Sequence, residues 1–126
     1  MIDFSKILYR KLTPIKVTDN ESARYATWLL VDGEQILHAF ASGRDSLVFT
    51  NKRIIAVNVQ GITGIKKDFT SLPYSRIQAY SVEEGGNMDA DNELSIFMNE
   101  IGRIDFQFSK KVDIYALSRL LAIRIN

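Results

Sequence analysis

Between residues 34 and 108 apolar side chains alternate with polar ones, and turn residues break the alternation at short intervals. A repeat of two places every second side chain on the same face, which is the pattern of a half-buried β-strand. Ile36, His38 and Phe40 share one face of the first such segment, and Leu37, Ala39 and Ala41 the other. Gly43-Arg44 then turns the chain into a second segment, Leu47, Val48 and Phe49. Asn51-Lys52 is a two-residue connection to a third over residues 53–59, rich in β-branched side chains. A glycine-bounded turn, residues 60–64, leads to a fourth over residues 65–72, stopped by Pro73. Residues 77–83, 93–98 and 103–108 complete seven expected strands. Links this short join antiparallel neighbours, because parallel neighbours need long crossovers. The spacing of about 8 to 12 residues per strand points to a sandwich or barrel.

The flanks carry a different period. Phe4, Ile7, Leu8 and Leu12 fall at helical spacing, which predicts a helix over residues 4–12 that Pro14 ends. Thr18 with Glu21 three residues on has capping-box spacing, and Tyr25, Trp28 and Leu29 form the stripe of a second helix closed by Asp32-Gly33. At the other end Asp113 is a good N-cap, and Ile114, Leu117, Leu120 and Leu121 define a terminal amphipathic helix of about 12 residues. Such a helix is the natural cover for the open end of a small sheet. The expected division is a helical extension over residues 1–32 and one mainly β domain over residues 33–126.

Composition narrows the chemistry. The 126 residues fit one domain. No Cys and a single His exclude disulfides, thiolate nucleophiles and zinc sites built from Cys or several His. Sixteen basic against fifteen acidic residues give a net charge of +1, so no global field favours nucleic acid. Charges at Asp3, Lys6, Arg10 and Lys11 interrupt the start, which lacks the apolar run of a secretory signal. No apolar run approaches the roughly 20 residues that cross a bilayer. A cytoplasmic location is the expectation, with a place at the membrane periphery as its alternative. The sequon Asn20-Glu21-Ser22 is a chance match without a secretion route.

Several strings sharpen the fold. They are Gly33-Glu34-Gln35, Phe49-Thr50-Asn51-Lys52-Arg53-Ile54-Ile55, Gln60-Gly61-Ile62-Thr63-Gly64-Ile65-Lys66-Lys67, Leu72-Pro73-Tyr74-Ser75-Arg76-Ile77, Asp91-Asn92-Glu93-Leu94 and Asp113-Ile114-Tyr115. In this order, from Gly33 to the end, the chain resembles the small stand-alone proteins of the bacterial pleckstrin-homology-like family. The resemblance implies a seven-stranded antiparallel orthogonal barrel, partly open and capped by the last helix. It implies a cyclic homo-oligomer in which strand edges of neighbouring subunits meet, with five subunits as one candidate stoichiometry. It also implies a polar surface for protein partners and no enzymatic activity. Eukaryotic relatives that bind phosphoinositides use a basic cluster in the first strand–loop–strand unit. Here that loop offers Arg44 beside Asp45.

The candidate interaction surface is therefore Lys52, Arg53, Lys66, Lys67 and Arg44. Thr50 and Asn51 read as structural, since Asn51 makes the tight turn with Lys52 and Thr50 can satisfy a nearby backbone group. His38, mid-strand between apolar neighbours, reads as structural rather than catalytic, with no Gly-x-Ser-x-Gly elbow to serve. Asp89, Asp91, Glu93 and Glu100 mimic a calcium loop, but the position that needs Gly is Leu94. No metal, cofactor or nucleic acid is expected. Trp28, Tyr25 and the Phe4/Ile7/Leu8 stripe read as packing surfaces. The alternative function is a peripheral membrane module, in which residues 1–12 lie on the membrane and Lys52, Arg53, Lys66 and Lys67 read anionic head groups.

Overall fold

The computed structural model describes residues 1–6, 9–86 and 91–125. In chain order its elements are β1 (Tyr9–Pro14), α1 (Glu21–Ala26), β2 (Ile36–Ser42), β3 (Asp45–Thr50), β4 (Arg53–Gln60), β5 (Lys66–Pro73), β6 (Ala79–Glu83), β7 (Asn92–Met98), β8 (Gly102–Phe108) and α2 (Ile114–Arg124). Single 3-10 turns lie at Val17–Asp19, Thr27–Leu29 and Tyr74–Arg76. The eight strands make one curled sheet in the order β5-β4-β3-β2-β1-β8-β7-β6. The mainly β architecture closed by a terminal helix is the one expected, and each of the seven expected strands is present within a few residues of its expected limits.

The eighth strand corrects the helix expected over residues 4–12. Tyr9 pairs with Phe106 and Leu12 with Phe108 in a parallel ladder with β8, the one exception to antiparallel pairing among the described residues. Three steps along β1 match two along β8, so the register shifts between Tyr9 and Leu12, where Lys11 has φ +50°. A bulge of this kind puts two inward side chains three residues apart, which imitates helical spacing. Ile7 and Leu8 of the expected stripe lie outside the described residues. The far end of β1 turns to β2, Thr13 opposite Ala41 and Pro14 opposite Phe40. Thus β1 is the seam between the β2–β5 ladder and the β6–β8 ladder.

The second expected helix is shorter and capped differently. Asn20, not Thr18, is the N-cap: its side-chain oxygen accepts from the Ala23 N–H at 3.0 Å. After Ala26 the chain tightens into the 3-10 turn, and this turn leaves Trp28 81% exposed, against the expectation that it packs.

Two apolar cores follow from the pleat. Leu47, Phe49, Ile54 and Ala56 point into the main core with Leu12, Phe40, Phe106 and Phe108. Their alternates Val48, Ile55 and Val57 face the other way, beneath Ala23 and Ala26 of α1. Burial on both faces explains why residues 53–59 read as a nearly continuous apolar run. At the end of the chain the Asp113 carboxylate accepts from the Ala116 N–H at 3.2 Å, which starts α2. Ile114, Leu117, Leu120 and Leu121 then add to the main core as the helix packs over β6 and β7. At the start, Ile2 is buried in the same core and its N–H donates to Thr70 Oγ1 at 2.8 Å.

Candidate interaction surface

Arg53 opens β4 and is held by a buried carboxylate. Its Nε and Nη2 donate to Glu34 Oε2 and Oε1 at 2.9 and 2.8 Å, a two-point grip that suits a planar guanidinium. Nη2 also donates to the Leu29 carbonyl at 2.6 Å and Nη1 to Ser71 Oγ at 3.0 Å. Glu34 has no exposed side-chain surface. It accepts further from the Thr50 hydroxyl at 2.7 Å and the Val31 N–H at 3.2 Å. The Arg53 hydrogen bonds, aided by Thr50 and the Val31 N–H, overcome the burial and hold the Glu34 carboxyl at about 2. Next to it Asn51 clamps the loop before β2, donating to the Gly33 carbonyl at 3.0 Å and accepting from the Gln35 N–H at 2.8 Å. Thr50 Oγ1 accepts from the Lys52 and Arg53 N–H groups at 3.0 Å each. The strings around Gly33 and Thr50 therefore encode one structural lock, and Arg53 belongs to it. Lys52 stands exposed at the turn.

The other candidate cations lie elsewhere. Arg53 opposes Pro73 at one end of the β4–β5 ladder, whereas Gln60 opposes Lys66 at the other. Arg44 joins that second end, because its Nη1 donates to the Gly61 carbonyl at 2.7 Å. The five candidate residues thus form two separated groups: Lys52 with the locked Arg53, and Arg44 with Lys66 and Lys67. Gly64 permits the close turn there: it has φ +68°, and a Cβ would meet Val59 Cγ1 at 3.2 Å.

Around this second group sits a cavity of about 400 Å³ between α1 and the β4–β5 turn. Tyr25, Arg44, Ile62 and Lys67 line it. Lys67 Nζ rests 4.7 Å from the Tyr25 ring centroid, a cation–π contact, and the Trp28 ring lies 5.6 Å from the Tyr25 ring, centroid to centroid. The Tyr25 hydroxyl donates to Glu21. Ile62 is wholly exposed at the tip of the turn and Ile65 is 79% exposed. The local signal for this feature is an isoleucine set between Gly61 and Gly64, where turn chemistry calls for polar residues.

The third surface is the pair of sheet edges. β5 and β6 end the strand order and, among the described residues, are each paired on one side only. Beside β6 a polar row crosses β7 and β8: Ser95 donates to Asp105 at 2.6 Å, and Arg103 Nε donates to Asp105 at 2.8 Å.

The remaining candidates show little chemistry. His38 is half-buried, its ring stacked near Phe40 at 6.2 Å. Asp89 of the calcium-like string lies outside the described residues. Among the described residues, no group of three or more acidic or histidine side chains is placed to hold a metal ion. No described helix is long and apolar enough to cross a membrane. A membrane-lying helix over residues 1–12 is also ruled out, since Tyr9 and Leu12 are buried in the sheet.

Known proteins share this architecture. The chain is 44% identical over 96 residues to the uncharacterised protein YjqA of Bacillus subtilis (strain 168), covering 75% of this chain and 77% of that one. It is 30% identical over 105 residues to YozO of the same organism, covering 83% and 90%. A crystal structure of a pleckstrin-homology-domain protein from Shewanella loihica PV-4 superposes with a TM-score of 0.79 at 28% identity, covering 93% of this chain and 99% of that one. A family model described as the bacterial PH domain matches residues 4–125, from before the seam strand to the end of the closing helix, and the chain belongs to that family.

Proposed function

We propose that this protein is a non-enzymatic scaffold, in which copies associate edge to edge into a ring and the ring offers polar faces to a protein partner. The observation that carries the reading is the pair of free edges, β5 and β6. An unpaired edge presents a row of N–H and C=O groups to any strand that can reach it. The two edges differ, so joining one to the other is a head-to-tail contact, which closes a ring when the rotation allows. A net charge of +1 offers little repulsion to such packing. Arg44, Lys66 and Lys67 give the ring one basic face and Lys52 marks another, while Arg53 serves the fold. Light scattering tests the reading: the expected mass is a multiple of 14.3 kDa at micromolar concentration. A particle of 14.3 kDa under those conditions overturns it.

One observation favours a second reading, peripheral contact with an anionic membrane. Ile62 and Ile65 project from a turn flanked by Arg44, Lys66 and Lys67, which suits shallow insertion beside acidic head groups. Sedimentation with phosphatidylserine vesicles at low salt tests it, where electrostatic attraction is strongest. Binding that Ile62→Ser abolishes supports it, and no binding removes it.

A further inference from the structure

We infer that the cavity between α1 and the β4–β5 turn takes an acidic peptide of a protein partner, which seats one apolar side chain among Tyr25, Trp28 and Ile62 and turns its carboxylates to Arg44 and Lys66. This rests on the protein-partner half of the reading above and names the partner's chemistry. The argument begins with apolar surface left in water. Single exposed apolar residues are ordinary, but several gathered at a cavity mark a contact. Tyr25 and Ile62 line this cavity from α1 and from the turn. Trp28, 81% exposed, lies beside the Tyr25 ring, and Ile65, 79% exposed, follows in the same turn. A small molecule held within the cavity of about 400 Å³ would leave Trp28 and Ile65 in water. A chain that enters it and continues over the rim covers them as well.

The fixed charges set the chemistry of that chain. The Arg44 guanidinium donates through Nη1 to the Gly61 carbonyl at 2.7 Å, which holds it at the rim with donors to spare. Lys67 is held over the Tyr25 ring, so its charge is in place before a partner arrives. Lys66 stands exposed beside it. Clustered basic side chains suit an acidic segment, and an aromatic-walled pocket suits an apolar anchor.

The other lip decides between a peptide and an anionic bilayer. Glu21 of α1 lines the cavity, and Asp19 is exposed just before it. A bilayer would press its head groups on both lips, where Glu21 and Asp19 repel them. A peptide directs its carboxylates to the basic lip alone.

Trp28 is the single tryptophan of the chain, so its emission reports the site without a label. The probes are short peptides of glutamates around a central leucine, methionine or phenylalanine. Their addition is expected to shift the Trp28 emission to the blue and to saturate. Glutamine in place of glutamate is expected to remove the shift. Arg44→Glu and Lys66→Glu are each expected to weaken binding about tenfold. Ile62→Ser is expected to remove the preference for these centres over alanine. Thermal melts accompany each variant, and the exposed Lys66 carries the charge test if Arg44→Glu loosens the turn. No shift with any peptide, or an equal shift with the glutamine peptides, overturns the inference. So does a shift with phosphatidylserine vesicles that the glutamate peptides neither produce nor compete with, which assigns the patch to a membrane. Light scattering decides the ring separately: a multimer that ignores the peptides keeps the ring and loses this site, and a monomer that binds them does the reverse.

Discussion

Arg53→Ala is expected to destabilise the protein by about 3 kcal/mol, because it leaves the Glu34 carboxylate buried without its partner. That loss corresponds to a fall in melting temperature of about 10 °C for a domain of this size. The guanidinium also ties the Leu29 carbonyl and Ser71 to the start of β4, so its removal loosens the loop before β2 as well. Arg53→Lys keeps the charge but not the fork, and is expected to recover only part of the loss. A variant that melts with the wild type would place Arg53 on the interaction surface and out of the lock.

The same pair gives the fold an acid limit. Glu34 sits at about 2 in the folded state against an ordinary value of 4.5. A carboxylate lowered by folding contributes stability that is full above its unfolded value and is lost as pH falls toward the folded one. Urea midpoints are therefore expected to drop between pH 4.5 and pH 2, and to drop less steeply in Glu34→Gln. Equal slopes in both proteins would show that Glu34 does not carry the acid sensitivity.

Leu12→Ala is the second large effect. Leu12 is fully buried at the seam, where β1 passes from β8 to β2. Truncating it leaves a cavity against Phe108 and removes the side chain that ties the two ladders together, at an expected cost of about 3 kcal/mol. Its exposed neighbour Lys11 provides the control, since Lys11→Ala removes no buried surface. Chemical denaturation measures both. A loss below about 1 kcal/mol for Leu12→Ala would mean that residues 9–14 dock on a finished barrel and do not help to close it.

Local pattern carried the reading where local physics decides the structure. Ile104, Phe106 and Phe108 alternate because β8 is buried on one face, and Asp113 announces α2 because a carboxylate satisfies its first free N–H groups. The reading failed where distant partners decide. The stripe of Phe4, Ile7, Leu8 and Leu12 looks helical, yet Leu12 lies in a strand that bulges at Lys11 and exists because β8 lies alongside. Trp28 reads as part of a stripe, yet α1 stops at Ala26 and the tighter turn carries the ring outward. Arg53 reads from the sequence as a cation of the interaction surface. It finds Glu34, 19 residues back, only once β2, β3 and β4 are aligned. The gathering of Arg44 with Lys67, and the exposure of β5 and β6, depend on strand order, which no single segment encodes.

Hydrogen–deuterium exchange at several protein concentrations addresses the subunit contact at the level of single amides. Amides of β5 and β6 that point away from their own ladders are predicted to slow as concentration rises, while those of β3 and β7 stay protected throughout. If the β5 and β6 amides exchange at the same fast rate at every concentration, the edges stay open and the scaffold account fails.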